Sequence, residues 1–167
     1  MNLQEFKLLN EVEKKELLQR CCGSSAWVNK MVAAFPVEDL DDLYIKAENK
    51  WKDCQEEDWL EAFKHHPKIG DINSLKEKFA NTSKWAEGEQ SGVNYSSQHI
   101  LEALAEGNKA YEDKFGYLFI VCATGKSAEE MLRILNLRLQ NNPVDELRIA
   151  AAEQNKITRL RLQKLFQ

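Results

Sequence analysis

One stretch narrows the choice of fold more than any other. Tyr117-Leu118-Phe119-Ile120-Val121-Cys122-Ala123 is the only run in the chain with strand-like composition. One strand cannot make a sheet, and no second run offers it a partner. Its buried amides must be satisfied elsewhere, because an unpaired backbone N–H in the interior is costly. The run therefore reads as a buried extended segment, and a ligand is one candidate partner for its amides. Everything around it reads as helix, so the fold class is all-α.

The helices are marked by their ends. Asn10-Glu11-Val12-Glu13 is a capping-box signature, opening a helix that turns Leu17 and Leu18 inward and stops at Gly23. Ser24-Ser25 cap a helix from Ala26 to Phe35, with Trp27, Met31 and Ala34 on one face and Pro36 as its stop. A third runs from about Glu38 to Cys54 on the stripe Leu40, Leu43, Tyr44, Ala47 and Trp51. Its acidic start suits the positive end of the helix dipole. The next, Glu56 to His65, carries Trp59, Leu60 and Phe63 inward.

The stretch from Asp71 to Tyr95 is polar, contains Gly88 and Gly92, and reads as short helices and loops, where binding groups concentrate. A long helix starts at Ser96 or Ser97 and ends near Gly116. Ser127-Ala128-Glu129-Glu130 predicts a second capping box and a helix to about Asn141. Asn142-Pro143 then sets a cap and an N1 proline before a last helix from Val144 to Phe166. On it Ile149, Ala152, Lys156 and Ile157 continue one side, and Glu153, Ile157 and Arg161 stack along a face. The expectation is one compact domain over residues 1–167, with about eight helices and the one extended segment. A chain of 167 residues is long enough for a core that needs neither disulfide nor metal.

Composition excludes more than it selects. A net charge of −4 argues against partners that need a basic face, nucleic acid and anionic membranes among them. No apolar run approaches the roughly 18 residues of a membrane span. The N-terminus lacks signal-peptide regions and the C-terminus is not a Ser-Lys-Leu address, so a cytoplasmic location is expected. Cys21, Cys22, Cys54 and Cys122 show no C-x-x-C spacing and read as free, largely buried thiols.

Two of the three histidines stand at a helix exit, in His65-His66-Pro67-Lys68-Ile69-Gly70. Pro67 blocks the helix and turns the residue before it away from the α region. By spacing alone His66 reads equally as a helix-end histidine on the dipole or as a proton-exchanging group. His65 reads as an exposed helix-end residue and His99 as a surface one. Glu87 and Glu89 flank Gly88 in an acidic stretch where a solvated role is the ordinary one. Arg161 lies among Lys156, Arg159 and Lys164, where a solvated basic helix end competes with two-point binding of carboxylates or carbonyls. Adjacent histidines point about 100° apart on a helix, and no Glu-x-x-His or H-x-x-x-H pairing supports them, so no metal site is expected. Gly-rich phosphate loops and a G-x-S-x-G elbow are missing too.

Three separated motifs change this balance. His66-Pro67-Lys68-Ile69-Gly70, then Glu89-Gln90, then Phe119 to Ala123 with Glu153-x-x-x-Ile157-x-x-x-Arg161-Leu162, together resemble one family. It is the 2-oxo-4-hydroxy-4-carboxy-5-ureidoimidazoline (OHCU) decarboxylases of urate degradation, and the resemblance covers nearly the whole chain, including Ala33-Ala34-Phe35-Pro36 and Trp59-x-x-Ala62-Phe63. The resemblance implies an all-helical homodimer that needs no metal or organic cofactor and releases CO₂ from a small-molecule ureidoimidazoline to give (S)-allantoin. By position it makes His66 and Glu89 catalytic. Pro67, Ala86, Glu87, Gly88, Gln90, Phe119, Ile120, Val121, Cys122, Ala123 and Arg161 become substrate contacts. Many family members carry serine where this chain has Ala86, which removes a side-chain hydroxyl from that set. An inert helical interaction module that kept the fold, or an enzyme for another ureido or imidazoline compound, are the alternative readings.

Overall fold

Asn2 and Asn10 each begin a helix by the same reciprocal bond. Their side-chain oxygens accept the amides of Glu5 and Glu13 at 2.9 and 3.0 Å, and each glutamate accepts the asparagine amide at 2.9 Å. The computed structural model describes residues 1–68, 72–80 and 90–167, with residues 78–80 and 90–96 as backbone alone. Among the described residues there are nine helices and no strand. They fall into two compact units.

The first unit comprises Met1–His66, Ile120–Cys122 and Ile149–Gln167. It holds α1 (Leu3–Leu8), α2 (Glu11–Cys21), α3 (Ser25–Ala33), α4 (Leu40–Lys52), α5 (Glu56–Lys64) and most of α9 (Pro143–Leu165). Its core is aromatic. Phe6 lies 5.3 Å from Phe35 and 5.2 Å from Phe166 between ring centres. Trp27 is fully buried and donates its indole N–H to the Ala47 carbonyl at 3.0 Å, while Trp51 donates to Ala151 at 2.8 Å. A buried indole with its N–H satisfied contributes apolar area without an unpaired donor. These bonds fix α3 on α4 and α4 on α9.

The second unit comprises Pro67–Phe119 and Ala123–Arg148. It holds α6 (Ile72–Ala80), α7 (Gln90–Phe115), α8 (Ala128–Arg138) and the first residues of α9. α7 packs against α8 closely enough that a Cβ at Gly107 would meet Leu135 Cδ2 at 2.6 Å. Gly116, at φ +82°, ends α7 in the left-handed region that a residue with a side chain resists. At the base of this unit lies a charged cluster. Glu146 is fully buried and accepts from Tyr111 Oη (2.5 Å), Arg138 Nε (2.6 Å) and Asn141 Nδ2 (2.9 Å). The Arg138 guanidinium also stacks on Phe119, 4.6 Å from its ring centre. Burial, then the bond to Glu146, push the Tyr111 hydroxyl far above its ordinary pKa.

The helices depart from the prediction in three places, two of them longer and one shorter. α1 goes beyond what periodicity indicates: six residues bury only Phe6, although Asn2-x-x-Glu5 repeats the signature of α2. α7 starts at Gln90, not at Ser96 or Ser97, with Gly92 inside it. One glycine costs a helix only about 1 kcal/mol, which a 26-residue helix absorbs. α8 ends at Arg138 rather than near Asn141, where Lys114 Nζ takes the carbonyls of Leu139 (2.7 Å) and Asn141 (2.9 Å).

All four cysteines are free and buried, as expected. Burial pushes the thiols of Cys21 and Cys54 up to about 11 and that of Cys22 to about 12, from an ordinary 9.0. The unfolded chain loses these protons first. Their stabilisation is thus fully present below pH 9.0 and is lost as pH rises through 11 to 12. The urea midpoint is expected to fall across that window. The same slope in a Cys21→Ala/Cys22→Ala/Cys54→Ala variant would refute the assignment.

Candidate active site

α5 delivers the histidines. Its first turn is fixed by Asp58, whose carboxylate accepts the Gln55 amide at 2.8 Å, and its buried face is Ala62 and Phe63. The last turn tightens: the amides of His65 and His66 reach back three residues, to Ala62 and Phe63, each at 3.2 Å. Pro67 then ends the helix. His65 is exposed and forms the C-cap, as expected for a helix-end residue. His99 is exposed as well.

Behind His65 the backbone of Gly23 comes so close that a Cβ there would meet His65 Cβ and Cγ at 2.5 Å. The obstacle is the root of a side chain rather than its flexible tip, so backbone must move. Gly23→Ala is expected to cost about 1–3 kcal/mol of stability, a typical overpacking cost, and to displace the α5 exit. A denaturation midpoint equal to wild type would contradict this.

His66 is half-buried, and its Nε2 lies 2.5 Å from Gln154 Oε1 on α9. Gln154 is fully buried, and its Nε2 donates to Thr158 Oγ1 at 3.2 Å. One residue earlier, Glu153 faces the extended segment. Its Oε2 accepts the Cys122 amide at 2.7 Å and its Oε1 pairs with Lys156 at 2.6 Å. Two turns on, Arg161 Nη1 donates to the Cys21 carbonyl at 3.3 Å, at the negative end of the α2 dipole. Burial dominates the Cys22 thiol nearby, with hydrogen bonds from the Ser24 backbone and the Thr158 side chain pulling the other way. Along α9 the first unit thus sets an imidazole against Gln154, a carboxylate on the extended backbone and a guanidinium at the end of α2.

The buried side of α9 is Ala150, Ala151, Gln154, Thr158 and Leu162. It is not the side on which Ile149, Ala152 and Lys156 continue, for these three are exposed. An apolar-stripe reading passes over Gln154 and Thr158 because both are polar. Their i, i+4 spacing with Ala150 and Leu162 was the available signal. Gln154 and the anchoring role of Glu153 are the residues that sequence reasoning missed.

Of the predicted contacts, His66, Ile120, Val121, Cys122 and Arg161 lie in this unit; Ile120 and Cys122 are buried and Val121 half-buried. Pro67, Phe119 and Ala123 belong to the second unit, where Pro67 is exposed and Phe119 packs on Tyr111. Ala86, Glu87, Gly88 and Glu89 lie outside the described residues, and Gln90 is described only as the backbone start of α7. Among the described residues no group of three or more His, Cys, Asp or Glu is placed to hold a metal ion.

Comparison with known proteins gives a consistent result. A family model described as OHCU decarboxylase matches residues 7–163. The Arabidopsis thaliana "Uric acid degradation bifunctional protein TTL" is 40% identical over 148 residues, covering 87% of this chain and 45% of that protein. A Xenopus laevis protein named 2-oxo-4-hydroxy-4-carboxy-5-ureidoimidazoline decarboxylase is 32% identical over 101 residues, covering 60% of this chain and 57% of that one. The chain thus spans about half the length of these curated relatives. A crystal structure of OHCU decarboxylase in the presence of (S)-allantoin superposes with a TM-score of 0.73 at 38% identity, covering 91% of this chain and 97% of that one.

Proposed function

We propose, because this chain belongs to the OHCU decarboxylase family, that it converts 2-oxo-4-hydroxy-4-carboxy-5-ureidoimidazoline to (S)-allantoin and CO₂ without a cofactor. The carbon that loses CO₂ bears a hydroxyl and adjoins a ring C=N bond. Electrons of the breaking C–C bond can flow into the ring, so the protein need only orient the carboxylate, move the hydroxyl proton and protonate one face of the new centre.

The observation that carries this reading is His66, held at the α5 exit by a buried amide. In the proposed roles His66 is the general acid/base at the hydroxyl, and Glu89 polarises the same region and helps destabilise the carboxylate. Gln90 and Arg161 hold carbonyl or ureido groups, with Pro67, the Ala86–Gly88 backbone and the Phe119–Ala123 backbone completing the contacts. Alanine at position 86 trims one hydroxyl from that set and bears on fine positioning more than on the chemistry. The whole chain acts as one catalytic domain, as a cytoplasmic homodimer. No helix among the described residues is long and apolar enough to cross a membrane.

The test starts from urate with purified urate oxidase and hydroxyisourate hydrolase, followed by circular dichroism. Rapid appearance of optically active (S)-allantoin on adding this protein is the expected result. Racemic product formed at the spontaneous rate would overturn the proposal and leave an inert module or another ureido substrate.

A further inference from the structure

We infer that Gln154 is a positioning residue that sets the tautomer of His66, keeping the imidazole proton on Nε2 and the basic lone pair on Nδ1. A neutral imidazole has one donor and one acceptor nitrogen, and the bond made by one nitrogen decides which is which. Gln154 Oε1 faces His66 Nε2 at 2.5 Å, and an amide oxygen can only accept, so Nε2 must donate.

The amide is itself held. Its Nε2 donates to Thr158 Oγ1 at 3.2 Å one turn further along α9. Gln154 is fully buried and Thr158 is 3% exposed, so water does not compete for either bond. In this arrangement the Thr158 oxygen accepts from the Gln154 amide and leaves Oε1 turned to the ring. A chain of three side chains thereby transmits one orientation from the interior to a half-buried ring. The reversed amide would present N–H groups to the ring and force the proton onto Nδ1, so the two arrangements are opposite chemical states.

The catalytic consequence rests on the decarboxylase reading; the tautomer does not. A neutral His66 with its lone pair on Nδ1 can accept the substrate hydroxyl proton there without breaking the Gln154 bond. The imidazolium so formed keeps Nε2–H on the amide oxygen, ready to return the proton from Nδ1.

The test uses the full-length protein labelled with ¹⁵N and long-range ¹H–¹⁵N spectra of its three histidines, at a pH where the rings are neutral. His66→Gln identifies the His66 signals by their loss. The expected pattern is a pyrrole-type Nε2 and a pyridine-type Nδ1; the reverse pattern, or averaged shifts, would overturn the inference. Gln154→Leu and, more gently, Thr158→Val should move the pattern toward averaging. In the same variants kcat is expected to fall about 10- to 100-fold with KM little changed. Unaltered nitrogen shifts in a folded Thr158→Val protein would also overturn it. Wild type with a fixed Nε2–H tautomer but no turnover would sink the decarboxylase reading and leave this role standing. Turnover with the reversed tautomer would do the opposite.

Discussion

His66→Gln is expected to lower decarboxylation about 100- to 10,000-fold while leaving the fold intact, the span that loss of a positioned acid/base group typically produces. Glutamine matches histidine in reach and polarity, and its amide can still bond Gln154. What it cannot do is take up and return a proton near neutral pH. Structure should survive because His66 closes the last turn of α5 through its backbone amide, not its ring. The side chain is only half-buried, so the change leaves no large cavity. Coupled assays from urate, paired with a denaturation curve, separate activity from folding. Near-normal turnover by a folded variant would remove His66 from the chemistry.

The largest expected loss of stability comes from the second unit. Glu146→Gln keeps the size of the side chain and deletes its charge, leaving the Arg138 guanidinium, whose side chain is 7% exposed, without its counter-ion. Breaking a buried pair in this way costs about 3–5 kcal/mol. Weakening one of its neutral hydrogen bonds, that from Asn141, costs only about 1 kcal/mol, so the uncompensated charge decides the outcome. A double variant, Arg138→Met with Glu146→Leu, should recover much of the loss, since it removes both charges together. Urea unfolding of the two variants provides the comparison. If Glu146→Gln lost less than about 1 kcal/mol, the cluster would be better solvated than its burial suggests.

Much of this architecture can be read from helix ends. Asn10, Ser24, Ser127 and Asn142-Pro143 mark starts that the structure places at or next to those residues, because a cap is a local bond between neighbours in sequence. The extended character of the run around Ile120 is legible for a similar reason: no partner strand was available. The candidate site is less accessible to such reasoning. The chain declares His66 through Pro67, yet its partner stands 88 positions away on a face that apolar periodicity assigns elsewhere. Nor does anything in Cys21-Cys22-Gly23 announce that His65 will lie against that glycine. Long-range proximity, and polar residues buried because they serve one another, leave little periodic trace.

The grip of Glu153 on the Cys122 amide has an evolutionary side. A strand in a sheet is bound by the alternation of its neighbours: shift it by one residue and every side chain changes face. A segment anchored by a carboxylate from a helix obeys no such rule. Its flanking positions can be exchanged one at a time, without a matching change on an adjacent strand. Val121 can thereby be exchanged while the Glu153 anchor stays put, and substitutions in this segment should concentrate there rather than at the buried Ile120 and Cys122.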